Sequence, residues 1–164
     1  MRDALDRIYR EHRQGLFTLA LSITRDRQRA EDAVHEAFVR LCRSDATPTG
    51  DLTAYVFAAV RNAANDEMRR LGTRQRLARS IYDGQMIDPP PTPDGVLLDG
   101  EMQQLIRQAV DALPGAARQT LVLKLYAGLT FEQVAQTMNE PMGTITSRYR
   151  RSLEKLKERV SHLV

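Results

Sequence analysis

AEDAVHEAFVRLCR, residues 30–43, sets Ala30, Ala33, Val34, Ala37, Phe38, Leu41 and Cys42 in an i, i+3, i+4, i+7 stripe. That spacing predicts a helix with one buried face. With the stripe turned inward, Asp32, His35, Glu36, Val39 and Arg43 share the outer face. Asp32 and Glu36 stand four apart, so their like charges cost an isolated helix roughly a few tenths of a kcal/mol. A cationic partner would turn that repulsion into a gain; a merely solvated helix face is the bland alternative. Metal chemistry fits poorly. The HExxH zinc pattern fails because Val39 stands four residues after His35, and the pair Glu31 and His35 has no second copy to build a carboxylate-bridged site.

The same periodicity extends on both sides. Leu5, Ile8, Tyr9, Leu16, Leu19, Ala20 and Ile23 predict a preceding helix, and after the turn-rich SDATPTGD (44–51) a third shows Leu52, Tyr55, Val56, Ala59, Val60, Ala63 and Ala64. Three amphipathic helices imply a bundle. Further on, Met102, Leu105, Ile106, Ala109, Val110 and Leu113 precede Pro114, a helix is expected at roughly 116–126, and two more are divided near Asn139 to Gly143. Between the two halves, SIYDGQMIDPPPTPDGVLLDG (80–100) holds Pro89, Pro90, Pro91 and Pro93, which lack backbone donors and push their neighbours toward extended conformations. The expected fold is all-α. It has two small domains: an N-terminal helical bundle over 1–79 and a C-terminal four-helix domain with a helix-turn-helix over 99–164, joined by an acidic, Pro-rich, flexible linker over 80–98. An aromatic fraction of 5%, no Trp and scarce β-branched runs leave little to build a sheet from.

With 164 residues and 42% apolar content the chain can bury a core. Its net charge of +3 conceals a pattern: +4 over 1–79, −3 over 80–98 and +2 over 99–164. One cysteine, Cys42, excludes an internal disulfide framework and a Cys-based zinc site. MRDALDRIYREHR (1–13) is too charged for a secretory signal, and the apolar run from Leu16 to Ile23 is too short to span a bilayer. A cytoplasmic protein without membrane insertion is expected.

Two stretches point to nucleic acid. In GLTFEQVAQTMNEPMGTITSRYRRSLEKLKERV (128–160), Val134, Ala135, Met138 and Ile145 have the spacing of a helix-turn-helix, with Asn139 where the turn usually carries Gly. If Ile145, Tyr149, Ser152 and Leu156 face inward, Thr146, Ser147, Arg150 and Arg151 face outward as candidate base and phosphate readers. The third helix runs into five arginines without an acid (Arg69, Arg70, Arg74, Arg76, Arg79), a track suited to phosphates. Upstream, Tyr55 and Phe57 offer aromatic surface, and Arg61, Asn62 and Asn65 offer hydrogen-bonding groups, a combination that suits an unstacked base. Tyr55 also fits the core stripe.

These pieces occur in one order that resembles a bacterial sigma factor of the extracytoplasmic-function (ECF) group. RQRAEDAVHEAFVRLCR is similar to that family's DAEDxVQExFxRxWR, LTAYVFAAVRNAANDEMRR to FRAWLxxIARNxxxDxxRR, and GLTFEQVAQTMNEPMGTITSRYRRSLEKLKE to GLSYEEIAxxLGxPxGTVKSRLxRAxxxL. The resemblance covers nearly the whole chain. It implies a transcription-initiation factor, without catalysis or cofactor, that docks on core RNA polymerase and directs it to promoters. Asp32 and Glu36, with His35 and Val39 beside them, would meet the Arg-rich β′ clamp helices. The third helix and loop 44–51 would open the minus-ten element, with Asn62 on a base, Arg61, Arg69 and Arg70 on phosphates, Asn65 among the DNA-binding residues, and Tyr55 in place of the usual Trp. The helix-turn-helix would read the minus-thirty-five element through Thr146, Ser147, Arg150 and Arg151, with Lys124 on a backbone phosphate, and would touch the β flap. The linker would thread the polymerase RNA channel. Many members of the group are held by an anti-sigma factor, a further partner class that the resemblance brings. The rival reading is a stand-alone helix-turn-helix regulator that dimerises through its N-terminal helices and binds a palindrome unaided.

Overall fold

The computed structural model describes residues 1–77 and 100–162, with the side chains of 73–77 left aside. The expected linker, 80–98, lies outside the described residues, as do the side chains of Arg74, Arg76 and Arg79. Seven α-helices, and no strand, occur among the described residues: α1 (Arg2–Thr24), α2 (Arg27–Arg43), α3 (Leu52–Leu77), α4 (Gly100–Asp111), α5 (Gly115–Leu121), α6 (Phe131–Met138) and α7 (Met142–Ser161). A π-helical turn, Val122–Tyr126, follows α5 directly.

Short polar residues set most of the boundaries. Asp26, extended at φ −143, caps α2 by accepting from the Arg29 N–H at 2.9 Å, and Asp51 does the same for α3 from the Ala54 N–H at 2.9 Å. Thr130 and Gln133 form a reciprocal capping box at the start of α6. Pro114 and Pro141 stand immediately before α5 and α7, where a missing N–H removes no helical bond.

At the end of α6, Asn139 takes the left-handed conformation (φ 52, ψ 49) expected of the helix-turn-helix corner. Asn tolerates that region better than any residue but Gly. Asn139→Gly is therefore expected to melt within a degree or two of the parent, and Asn139→Val to lose about 1–2 kcal/mol in thermal unfolding. Equal stability of the Val variant would rule out the left-handed corner.

The helices α1, α2 and α3 pack as a bundle around Leu16, Leu19, Val56, Phe57 and Val60, each fully buried. Phe57, expected to present aromatic surface, is 0% exposed and edge-on to His12 at 5.6 Å, because it points to the α1 side of α3. Tyr9 and Cys42, read as part of the apolar stripes, are exposed instead: they lie at the edges of those stripes, where the phenol can reach water while its ring packs edge-on to Phe38 at 5.1 Å.

The core does not stop at the N-terminal bundle. Val122, Leu123, Leu129, Val134, Met138 and Ile145 of the C-terminal half belong to the same buried cluster. A smaller cluster, Leu113, Ala117 and Leu121 with Tyr149 and Leu156, is confined to the C-terminal half. One close approach of the two halves is where α1 crosses the end of the π-helical turn. A Cβ on Gly15 would stand 2.9 Å from the Ala127 Cβ and 3.0 Å from its Cα, so only glycine permits this crossing.

Candidate nucleic-acid interface

Helix α2 turns its apolar stripe onto α1 and α3 and leaves a charged ledge outside. Asp32 and His35 are exposed there, and Glu36 and Val39 are half-buried. The carboxylates are not unpartnered. Asp32 accepts from Gln28 Nε2 at 3.0 Å, and Glu36 Oε1 accepts from Arg40 Nη2 and lies 3.9 Å from Arg70 Nη2 of α3. The like-charge strain expected from the spacing of Asp32 and Glu36 is thus already eased by neighbours within the chain. Beside the ledge, a groove of about 740 Å³ runs between α1 and α2, lined by Leu5, Tyr9, Phe17, Val34, His35 and Phe38 among others.

Helix α3 presents Asn62, Arg69 and Arg70 to solvent, with Asn65 half-buried between them. Asn62, Asn65 and Arg69 stand at i, i+3 and i+7, so they line one face. Arg69 also pairs with Asp66 at 2.9 Å. Tyr55 is half-buried and packs on the core, as its place in the stripe allows. Arg61, expected on a phosphate, donates here from its Nε to Gln119 Oε1 of α5 at 2.7 Å. Burial lowers the pKa of this guanidinium, and nearby Glu140 opposes the shift.

Further polar contacts bind the two halves together at the start of α3. Gln136 Nε2 donates to the Asp51 carbonyl at 3.2 Å, and its Oε1 accepts from the Asp51 N–H at 3.2 Å. Gln133 Nε2 reaches the Asp51 carboxylate at 3.3 Å, and the buried Thr137 hydroxyl donates to the Ala54 carbonyl at 3.3 Å. Gly50, at φ +85, lies under Gln136, where a Cβ would meet the side-chain amide at 2.9 Å. Sequence reasoning missed Asp51, Gln119, Gln133, Gln136 and Thr137. Asp51 and Gln133 carry local capping signatures, but nothing local points to the partners of these residues across the two halves, which lie 58 to 85 residues away.

Helices α6 and α7 form the helix-turn-helix. Ile145 and Ser152 are buried, and Tyr149 and Leu156 are half-buried on the same side, with Tyr149 edge-on to Phe131 at 5.3 Å. Arg150 and Arg151 are exposed on the other side, and Thr146 and Ser147 are half-buried next to them. The Thr146 hydroxyl donates to the Gly143 carbonyl at 3.2 Å. Arg148 clasps Glu140 across the corner with two bonds, 3.0 and 2.6 Å. That hydrogen bonding holds the Glu140 carboxyl below its ordinary pKa. The clasp's contribution to stability is thus present at neutral pH and lost as pH falls through the depressed value. Lys124, expected on a phosphate, turns inward: its ammonium donates to the Leu129 carbonyl at 3.2 Å and sits 4.5 Å from the centre of the Phe131 ring.

The order of these surfaces can be compared with known proteins. A family model for Sigma-70 region 2 matches residues 8–74, and one for Sigma-70 region 4 matches residues 109–158. The chain belongs to the sigma-70 family, in its ECF group. Its relatives include the ECF RNA polymerase sigma factor SigE of Mycolicibacterium smegmatis, 27% identical over 93% of this sigma factor and 60% of that protein. The RNA polymerase sigma-H factor of Pseudomonas aeruginosa is 25% identical over 98% of this chain and 88% of its own. The ECF sigma-E factor of Escherichia coli is 26% identical over 81% and 74%. The fold matches the sigma factor RpoE of Bartonella quintana, solved in complex with the anti-sigma factor NepR, with a TM-score of 0.77 over 98% of both chains at 23% identity. Both sigma-70 regions are present in one chain, so this sigma factor is an RNA-polymerase-binding transcription-initiation factor.

Among the described residues, no helix is long and apolar enough to cross a membrane, and no group of three or more His, Cys, Asp or Glu could hold a metal ion.

Proposed function

We propose that this sigma factor docks on the β′ clamp helices of core RNA polymerase through the α2 ledge of Asp32, His35, Glu36 and Val39. It then engages the two promoter elements with α3 and α7. The observation that carries the reading is the presence, in one chain, of an exposed acidic ledge in region 2 and an exposed arginine pair in region 4. Exposed charges of this kind mainly set specificity and encounter rate. On the minus-ten side, Asn62 and Asn65 hold a flipped base, with Tyr55 beside the opened strand and Arg69 and Arg70 on phosphates. On the minus-thirty-five side, Thr146, Ser147, Arg150 and Arg151 enter the major groove. Arg61 joins the minus-ten phosphate contacts by exchanging Gln119 for a phosphate oxygen, and Lys124 joins the minus-thirty-five contacts by exchanging the Leu129 carbonyl for one.

The proposed division of labour follows the chain: 1–79 for docking and strand opening, 80–98 as the connector, and 99–164 for upstream recognition and the β flap. The protein works by binding, in the cytoplasm where polymerase acts, with no chemical step or cofactor of its own. A partner of the anti-sigma class, such as the Bartonella quintana protein was solved with, is proposed as its antagonist. A regulator that dimerises through its N-terminal helices has no use for region 2.

Co-purification with bacterial core polymerase, followed by run-off transcription from a genomic library, tests the reading. Stable binding and new start sites preceded by two spaced motifs are expected; tight unaided binding to a palindrome without polymerase would overturn it. Arg150→Ala with Arg151→Ala is expected to leave polymerase binding intact and to weaken promoter binding by about tenfold to a hundredfold. Unchanged promoter affinity would remove α7 from the recognition surface.

A further inference from the structure

Glu36 touches both working surfaces of region 2. Its carboxylate belongs to the α2 ledge, yet the oxygen that accepts from Arg40 also lies 3.9 Å from Arg70 Nη2, on the helix assigned to the minus-ten strand. The Glu36 side chain is 34% exposed and that of Arg70 57%, so both remain within reach of an incoming partner. Arg40 and Arg70 both approach the same oxygen, Oε1, so a cation from outside that takes that oxygen meets both of them there. Whatever binds it competes with the others.

We infer that Glu36 is a coupling residue that positions Arg70. In the free protein it draws the Arg70 guanidinium toward α2 and away from phosphate. When a basic side chain of the polymerase takes the carboxylate, Arg70 is released to grip DNA. Docking and strand binding are then linked, each favouring the other by the same factor. An exposed pair of this kind sets that factor at about twofold to fivefold. The inference rests on the proposed roles of the α2 ledge and of α3, and it adds a path between them.

The test uses the full chain and a fluorescein-labelled single strand of twenty thymidines, with binding read by anisotropy across a salt series. Glu36→Gln is expected to bind this strand about twofold to fivefold more tightly at low salt. Its plot of log affinity against log salt should steepen by about 0.7, the signature of one additional single-strand phosphate contact. Glu31→Gln removes the same charge from the same helix without touching Arg70 and is expected to give a smaller gain with no change in slope. Adding Arg70→Ala to Glu36→Gln should cancel the gain, while adding Arg40→Ala should preserve it. An equal gain and slope from Glu31→Gln, or a gain that survives Arg70→Ala, would overturn the coupling. Polymerase co-purification of the Glu36→Gln protein is read separately: unchanged affinity there refutes the docking role of Glu36, while the thymidine-strand data alone decide whether it holds Arg70.

Discussion

Asp32→Arg combined with Glu36→Arg is expected to abolish co-purification with core polymerase, a loss of at least about a hundredfold. The substitutions reverse both charges on a ledge proposed to meet an Arg-rich partner, and like charges facing each other across an interface cost several kcal/mol, each 1.4 kcal/mol being tenfold. The fold should survive. Asp32 is exposed and bonded to the exposed Gln28, and Glu36 serves no fully buried group. A guanidinium introduced in place of Glu36 would stand beside Arg40 and Arg70, but repulsion among exposed side chains is small. The double variant should therefore show the parent's circular dichroism spectrum and melt within a few degrees of it. Polymerase affinity that stays at the parent level would move the docking face elsewhere on the molecule.

Gly15→Leu is expected to force the two halves apart. In most helix interiors replacing Gly by a better helix former stabilises, by about 1 kcal/mol for Ala. Here the sign should reverse. The new Cβ would collide with the Ala127 Cβ and backbone at 2.9 and 3.0 Å, and neither is the end of a flexible side chain. Overpacking of this kind costs about 1–3 kcal/mol, and the leucine tip extends the clash. A chain of this size loses about 2–4 °C of melting temperature per kcal/mol. Small-angle scattering should report a larger radius for Gly15→Leu and an intermediate one for Gly15→Ala. If Gly15→Ala instead raised the melting temperature, as it would in an isolated helix, the crossing of α1 over the π-helical turn would not form in solution.

Much of the fold was legible because helices advertise themselves locally. The stripe from Ala30 to Leu41 and the left-handed Asn139 each follow from the identity and spacing of nearby residues, and the structure puts each where that logic required. Phe57, Tyr9 and Cys42 went astray at the edges of stripes, where a rotation of a few tens of degrees decides between core and solvent. The shared core was not legible at all. Two amphipathic blocks around a proline-rich stretch read as two cores, since periodicity says that a face is apolar but not what covers it. The same limit applied to Arg61. Its charge suggests a phosphate, and nothing local announces the neutral Gln119, 58 residues away, to which it donates within the chain.

The contacts of Asp51 with Gln133 and Gln136 also bear on how such proteins could be recombined. Grafting the C-terminal helices of a relative onto α1–α3, the obvious route to a new upstream specificity, would exchange both glutamines and Thr137 while leaving Gly15, Gly50, Asp51 and Ala54 behind. A chimera with its recognition helix intact would then begin with a mismatched seam. Carrying these seven positions as one set, rather than cutting at the prolines, is the transplant boundary this architecture dictates.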